Sequence, residues 1–339
     1  MEKIHLRFSF VLFNVLTIFI LTSCGSSANS NAGDDNNQPG FPSEINGLIT
    51  FDLYDSGASL GRVGIFILEL NHGAIVKKRQ LNGQYPYAYD RKHILFSKPC
   101  AGSSGHRIKA ISAKGLESAS YYTPCSNTIV KQRSYFNESD SPPFVLSKLS
   151  PDKTKVVVQV EWGLRKNTTY ALLVFDANTQ ELIKRYDDYA YPDWLPDGRL
   201  LISPRGSETN STGIYLTNST FTRLSRIDKN SINQQIAYSD VSPSGNKVVF
   251  SVGAQVWVMN LDGTNLSEII VDSSRAIYPT WSPDEQYIAY LSLGVGRYLG
   301  KINFLNLSSK KISILETDVI LPDGLYTPMA PTGPLSWVK

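Results

Sequence analysis

The chain has 339 residues, of which 42% are hydrophobic, 11% aromatic and 19% charged, with a formal net charge of +3. Thirty-three basic residues against 30 acidic ones leave no electrostatic footprint for nucleic acid, and the low charge with 18 tyrosines excludes a disordered chain. Three cysteines are too few for a disulfide-built scaffold or a four-ligand zinc cluster.

The first element is a leader. Lys3 and Arg7 precede an apolar run from Phe8 to Leu21, too short for a confident membrane span, and residues 1–23 read as a signal peptide. The run ends in Leu21-Thr22-Ser23-Cys24, which resembles the bacterial lipobox. That resemblance implies a lipoprotein whose Cys24 is acylated (palmitate-type chains) and becomes the first mature residue. The alternative is an ordinary secretory signal with an incidental cysteine. Residues 24–45 form a tether, because Gly25 to Gly40 holds almost no apolar side chain and cannot build a core. Each buried methylene contributes about 0.8 kcal/mol, so firm anchoring needs more than one acyl chain. Gly25, rather than an aspartate, follows the cysteine, and by resemblance this points to the outer membrane, facing the periplasm. With Cys24 acylated, Cys100 and Cys125 remain, and an oxidising compartment allows them to form a disulfide. Two free buried thiols are the alternative.

From residue 46 to residue 339 the chain repeats. Leu146-Ser-Lys-Leu-Ser-Pro151-Asp152, Tyr191-Pro-Asp-Trp-Leu-Pro196-Asp197-Gly198, Tyr238-Ser-Asp-Val-Ser-Pro243-Ser-Gly245 and Tyr278-Pro-Thr-Trp-Ser-Pro283-Asp284 are copies of one pattern. Tyr85 to Phe96 is a weaker copy with its turn at Asp90, and Tyr326 to Gly333 a degenerate one with Pro331 as a candidate turn centre. Each copy reads as strand, turn, strand: proline presets the backbone angle, Asp and Gly close the turn, and a β-branched or aromatic run follows. A second hairpin recurs near residues 64, 107, 170, 213, 255 and 301. Four strands in roughly 40–50 residues is the period of a propeller blade.

These units resemble the WD-like propeller repeats of the TolB type, marked by an aromatic residue, Ser-Pro-Asp-Gly and an apolar strand; Trp281-Ser-Pro-Asp284 and Leu195-Pro-Asp-Gly198 carry the likeness best. The resemblance implies an all-β, six-bladed propeller of four-stranded antiparallel blades, with both termini sharing one blade. Leu48-Ile-Thr-Phe51 reads as a second strand, and Pro334 to Lys339 as the missing innermost strand. In the other register Pro331 centres a turn and the N-terminal strand joins an edge.

Little catalytic chemistry is legible. His72, His93 and His106 recur at no metal-ligand spacing, and no Gly-x-Ser-x-Gly elbow is present. Trp194, Trp257 and Trp281 read as wedges between blades, and the turn aspartates as turn residues. No catalytic residue, metal or cofactor is therefore expected. The TolB likeness implies a monomeric, non-catalytic scaffold that binds an envelope protein or glycan. TolB contacts a peptidoglycan-associated lipoprotein; this chain lacks the α/β domain that precedes the TolB propeller. An enzyme of the uronic-acid lyase kind is the alternative, since some propellers of this type cleave such polymers.

Overall fold

The computed structural model describes residues 42–55, 62–81, 83–90, 92–99, 106–112, 117–122, 144–162, 169–205, 212–229, 231–270, 275–293, 300–315 and 329–339. Cys24, Cys100, Cys125, the leader and residues 24–41 of the tether lie outside them.

The described strands form six four-stranded antiparallel sheets. Blade I comprises β1 (Gly47–Asp55), β2 (Arg62–Asn71) and β3 (Ala74–Leu81). Blade II holds β4 (Gln84–Asp90), β5 (His93–Pro99), β6 (His106–Ser112) and β7 (Glu117–Tyr122). Blade III holds β8 (Phe144–Leu149), β9 (Lys155–Trp162), β10 (Thr169–Asp176) and β11 (Leu182–Asp187). Blade IV holds β12 (Tyr189–Trp194), β13 (Leu200–Pro204), β14 (Tyr215–Thr217) and β15 (Leu224–Arg226). Blade V holds β16 (Ile236–Val241), β17 (Lys247–Val252), β18 (Gln255–Asn260) and β19 (Ser267–Ile270). Blade VI holds β20 (Arg275–Trp281), β21 (Tyr287–Leu293), β22 (Gly300–Asn306) and β23 (Ile312–Leu315), and β24 (Met329–Val338) returns to blade I.

Closure follows the C-terminal-strand register. β24 pairs antiparallel with β1, Leu48 opposite Val338 and Thr50 opposite Ser336. Pro331 is not a turn centre, in contrast to the alternative register: it lies within β24 opposite Leu53. Gly47 permits the approach, since a Cβ at its φ of +121° would sit 2.3 Å from the Val338 carbonyl oxygen. The innermost strands β24, β4, β8, β12, β16 and β20 each lie against the next, and β20 meets β24 to complete the ring.

The core is divided among the blade interfaces. Val156, Val158 and Val160 pack with Leu95 of blade II, whereas Val157, between them, packs with Trp194, Leu200 and Ile202 of blade IV. Such a strand is covered on both faces, which is why β9 is a nearly continuous valine run rather than an alternating one. Trp281 packs on Val249 and Val256 of blade V, and Trp337 on Phe304 of blade VI. The indoles also pin strands together: Trp194 Nε1 donates to the Lys148 carbonyl at 3.0 Å, Trp281 Nε1 to the Asp240 carbonyl at 3.2 Å and Trp337 Nε1 to the Asn46 carbonyl at 2.8 Å.

The Ser-Pro-Asp turns have a shared bonding logic. Ser150 and Ser282 each donate to the aspartate two residues on, at 2.6 Å, and accept from the first N–H of the next strand, that of Lys155 or Tyr287. Asp152 also accepts from the Thr154 N–H and hydroxyl; led by the Ser150 hydroxyl, these bonds hold its carboxyl down to about 2. Asp197 bonds the Arg199 N–H and guanidinium, while Gly198 and Gly245 take the left-handed position that Lys153 and Glu285 occupy elsewhere. Pro151, Pro196, Pro243 and Pro283 follow the innermost strands of blades III to VI.

Candidate functional site

An innermost strand faces the channel with one edge, and its inward N–H groups have no ladder partner there. The chain meets this need in two recurrent ways. First, Tyr85, Tyr191, Tyr238 and Tyr278 each sit at a bulge with φ between 53° and 55°, the left-handed region that bulky residues avoid. The Tyr85 N–H donates to the Asp52 carboxylate and the Tyr191 N–H to Gln159 Oε1, both on the second strand of the preceding blade.

The second device lies two residues further along. Tyr87, Lys148, Asp193, Asp240, Thr280 and Ser336 occupy equivalent positions on the six innermost strands. Three of them accept a backbone N–H of the following blade. Asp193 Oδ2 accepts from the Val241 N–H, Asp240 Oδ2 from the Trp281 N–H at 2.9 Å, and Ser336 Oγ from the Ala88 N–H at 3.0 Å. Ser336 Oγ also donates to the Ala88 carbonyl, so it latches both groups of that peptide edge.

A cavity of about 280 Å³ opens at this end of the channel, lined by Tyr87, Asp193, Asp240, Thr280 and Ser336 and framed by Pro151, Pro196 and Pro243. Lys148 Nζ lies 2.7 Å from Asp193 Oδ1, 3.7 Å from Asp240 Oδ1 and 5.2 Å from the centre of the Tyr87 ring.

No protein-family model matches the chain. It is similar to the Tol-Pal system protein TolB of Anaeromyxobacter dehalogenans (strain 2CP-C), with 30% identity over 127 residues, 34% of this chain and 28% of that protein. It is also similar to the protein of the same name from Hahella chejuensis (strain KCTC 2396), with 24% identity over 144 residues, 42% of this chain and 32% of that one. The matched stretches thus span about a third of the length of these relatives. The crystal structure of TolB from Acinetobacter baumannii superimposes with a TM-score of 0.60 at 14% identity, covering 89% of this chain and 69% of that one. The domain is a TolB-like β-propeller.

Electrostatics at the mouth of this TolB-like propeller are set by one cation between two carboxylates. Burial works against the Lys148 ammonium, but Asp193 and Asp240 together outweigh it and hold its pKa above the ordinary lysine value. Asp240 responds the other way: burial, reinforced by the Asp193 charge, pushes its carboxyl up to about 7 despite Lys148 and the bonds from Trp281 and Thr280. Burial and the same two carboxylates drive the Tyr87 phenol well above its usual value. Near neutral pH the mouth therefore holds a charged lysine, a neutral phenol and a carboxyl poised to exchange a proton.

Of the residues singled out in the sequence, Pro151, Pro196, Pro243, Trp194 and Trp281 come together around this cavity. Asp152, Asp197 and Asp284 are engaged within their own turns. The six-position ring was missed. Its signal was a polar residue, Lys148, Asp193, Asp240 or Thr280, just before the last residue of strands that are otherwise apolar or aromatic there.

Proposed function

We propose that the chain is a lipid-anchored envelope protein of the periplasm, tethered through Cys24 to the outer membrane and acting as a non-catalytic scaffold for an envelope protein or glycan. The TolB-like propeller carries this reading. A ring of six sheets is a rigid support whose two mouths present side chains from every blade, and two relatives of the fold bear the name of Tol-Pal system proteins. The lipobox-like Leu21-Thr22-Ser23-Cys24 supports the anchor, and residues 24–45 supply the reach. Cys100 and Cys125 would be joined in such a compartment.

Two measurements test the reading. Cys24→Ala should move the protein from the membrane fraction to the soluble periplasm; unchanged membrane association would refute the anchor. Cross-linked affinity capture from envelope extracts should return a discrete partner at stoichiometric yield. Turnover of a uronic-acid polymer by the purified protein would overturn the non-catalytic assignment.

A further inference from the structure

The other mouth of the channel, where the innermost strands begin, carries a different chemistry. Arg205 follows β13 there, anchored by its N–H to the Asp188 carbonyl. Its guanidinium lies 5.6 Å from the centre of the Tyr170 ring and 5.8 Å from that of Tyr191, and Nη1 donates to Gln235 Oε1 at 2.7 Å. Tyr191 continues the aromatic surface: its ring centre is 4.6 Å from that of Tyr238, which is 3.9 Å from that of Tyr278.

Among the described residues Arg205 makes no ion pair. Glu161, the nearby carboxylate, approaches the Tyr170 hydroxyl at 3.4 Å. A guanidinium half withdrawn from water, whose partners among the described residues are phenols and an amide, has lost hydration without gaining a counter-charge from them. It is nonetheless oriented, because the rings and Gln235 fix its plane. With Gln235 on Nη1 and the Tyr170 hydroxyl as a further hydrogen-bond partner, the rest of its five N–H donors remain for a planar, two-oxygen acceptor, the geometry of a carboxylate. The phenols are neutral donors as well as ring faces: burial raises the Tyr191 and Tyr238 hydroxyls far above neutral pH. The groups in contact with Arg205 are thus hydroxyl-bearing rings and a side-chain amide, which suit the hydroxyls and C–H faces of a sugar.

We propose that this mouth is a binding site for a carboxylate-bearing sugar, with the acid group on Arg205 and the ring hydroxyls on Tyr170, Tyr191 and Gln235. The assignment deepens the scaffold reading by naming a ligand class, and it rests on that reading. The two fail separately, because fractionation and capture test the anchor and the protein partner, whereas direct titration tests only this site.

The experiment is titration of the full chain, purified in detergent, with three probes: a glucuronate-containing tetrasaccharide, its uncharged glucose counterpart and a glutamate tetrapeptide. Tyrosine and tryptophan emission is the readout, at two salt concentrations. The uronate should bind saturably, at least about tenfold more tightly than the neutral sugar, with affinity falling as salt rises. Arg205→Gln should lose about tenfold or more with an unchanged unfolding midpoint. Arg205→Lys, which keeps the charge but not the fork, should lose an intermediate amount and serves in its place if the glutamine variant does not fold. Absence of saturable uronate binding, equal affinity in both variants, or tighter binding of the glutamate peptide would each overturn the proposal.

Discussion

Asp240→Asn isolates the electrostatics of the cavity. Asp240 Oδ2 accepts from the Trp281 N–H and the Thr280 hydroxyl, and an amide oxygen can take over both bonds. What the substitution removes is the ionisable proton. The folded-state carboxyl is raised from 3.8 to about 7, so between these values the folded protein binds more protons than the unfolded chain. Wild-type stability must then decline as pH rises through that window, and the loss is complete above about pH 7. At about 1.4 kcal/mol per unit, roughly three units set a ceiling of about 4 kcal/mol. The side chain keeps 18% exposure, which lets water share the charge, and about 2 kcal/mol is the working figure. Guanidinium unfolding followed by tryptophan emission should show variant and wild type nearly equal near pH 4. At pH 8 the variant should be the more stable by about 2 kcal/mol. A difference that stays flat from pH 4 to pH 8, or a variant that weakens as pH rises, would show that Asp240 is not the destabilised carboxylate described here.

The neighbouring groups give predictions of opposite sign. Lys148→Met leaves two buried carboxylates facing each other and should cost about 3–5 kcal/mol at pH 8, less at pH 5, where one of them takes a proton; denaturant midpoints at the two pH values measure this. Ser336→Ala strips the acceptor from the buried Ala88 N–H and should cost about 1–3 kcal/mol in the same assay, with faster amide exchange at Ala88 and at the β24–β4 contact. Trp281→Ala empties a wedge between blades V and VI and removes the indole bond to Asp240, for an expected loss of about 3–5 kcal/mol in thermal or chemical unfolding.

Much of the fold was legible because local and long-range demands coincide in the Ser-Pro-Asp turns. The serine before the proline and the aspartate after it bond one another and the next strand, so the motif marks a strand–turn–strand unit wherever it occurs. Blade I has no such turn, since β24 supplies a single strand to a sheet begun about 280 residues earlier at β1. The sequence still marks Pro334 to Lys339 as the missing innermost strand beside the degenerate copy at Tyr326–Gly333, and within it Ser336 takes the equivalent ring position. The bulges were hidden for a different reason. A residue before proline is expected to be extended, yet Tyr85, Tyr191 and Tyr278 precede prolines and stand at positive φ. Acceptors from the blade before, Asp52 and Gln159, hold two of these N–H groups, and no pattern within one repeat reveals them. The site stayed illegible for the same reason: Lys148, Asp193 and Asp240 come from three blades and acquire their chemistry only when the ring closes.

The two mouths differ in what a ligand would have to displace. At the cavity end, Asp193 Oδ2 and Asp240 Oδ2 already hold the backbone of the next blade, and Asp193 Oδ1 holds Lys148. A ligand that competed for those oxygens would loosen blades IV to VI. Binding there without loss of stability has to proceed through the prolines and tryptophans that frame the cavity, with the charges acting across a short distance. At the opposite mouth the partners of the Arg205 side chain among the described residues are the Tyr170 and Tyr191 rings, the Tyr170 hydroxyl and the Gln235 side chain, and none of them is a backbone group. A carboxylate can take its free donors while every latch between blades stays closed. That difference makes the arginine mouth the place where affinity can change without a change in fold. It also requires Arg205→Gln to alter binding and leave stability intact, whereas Lys148→Met must alter stability first.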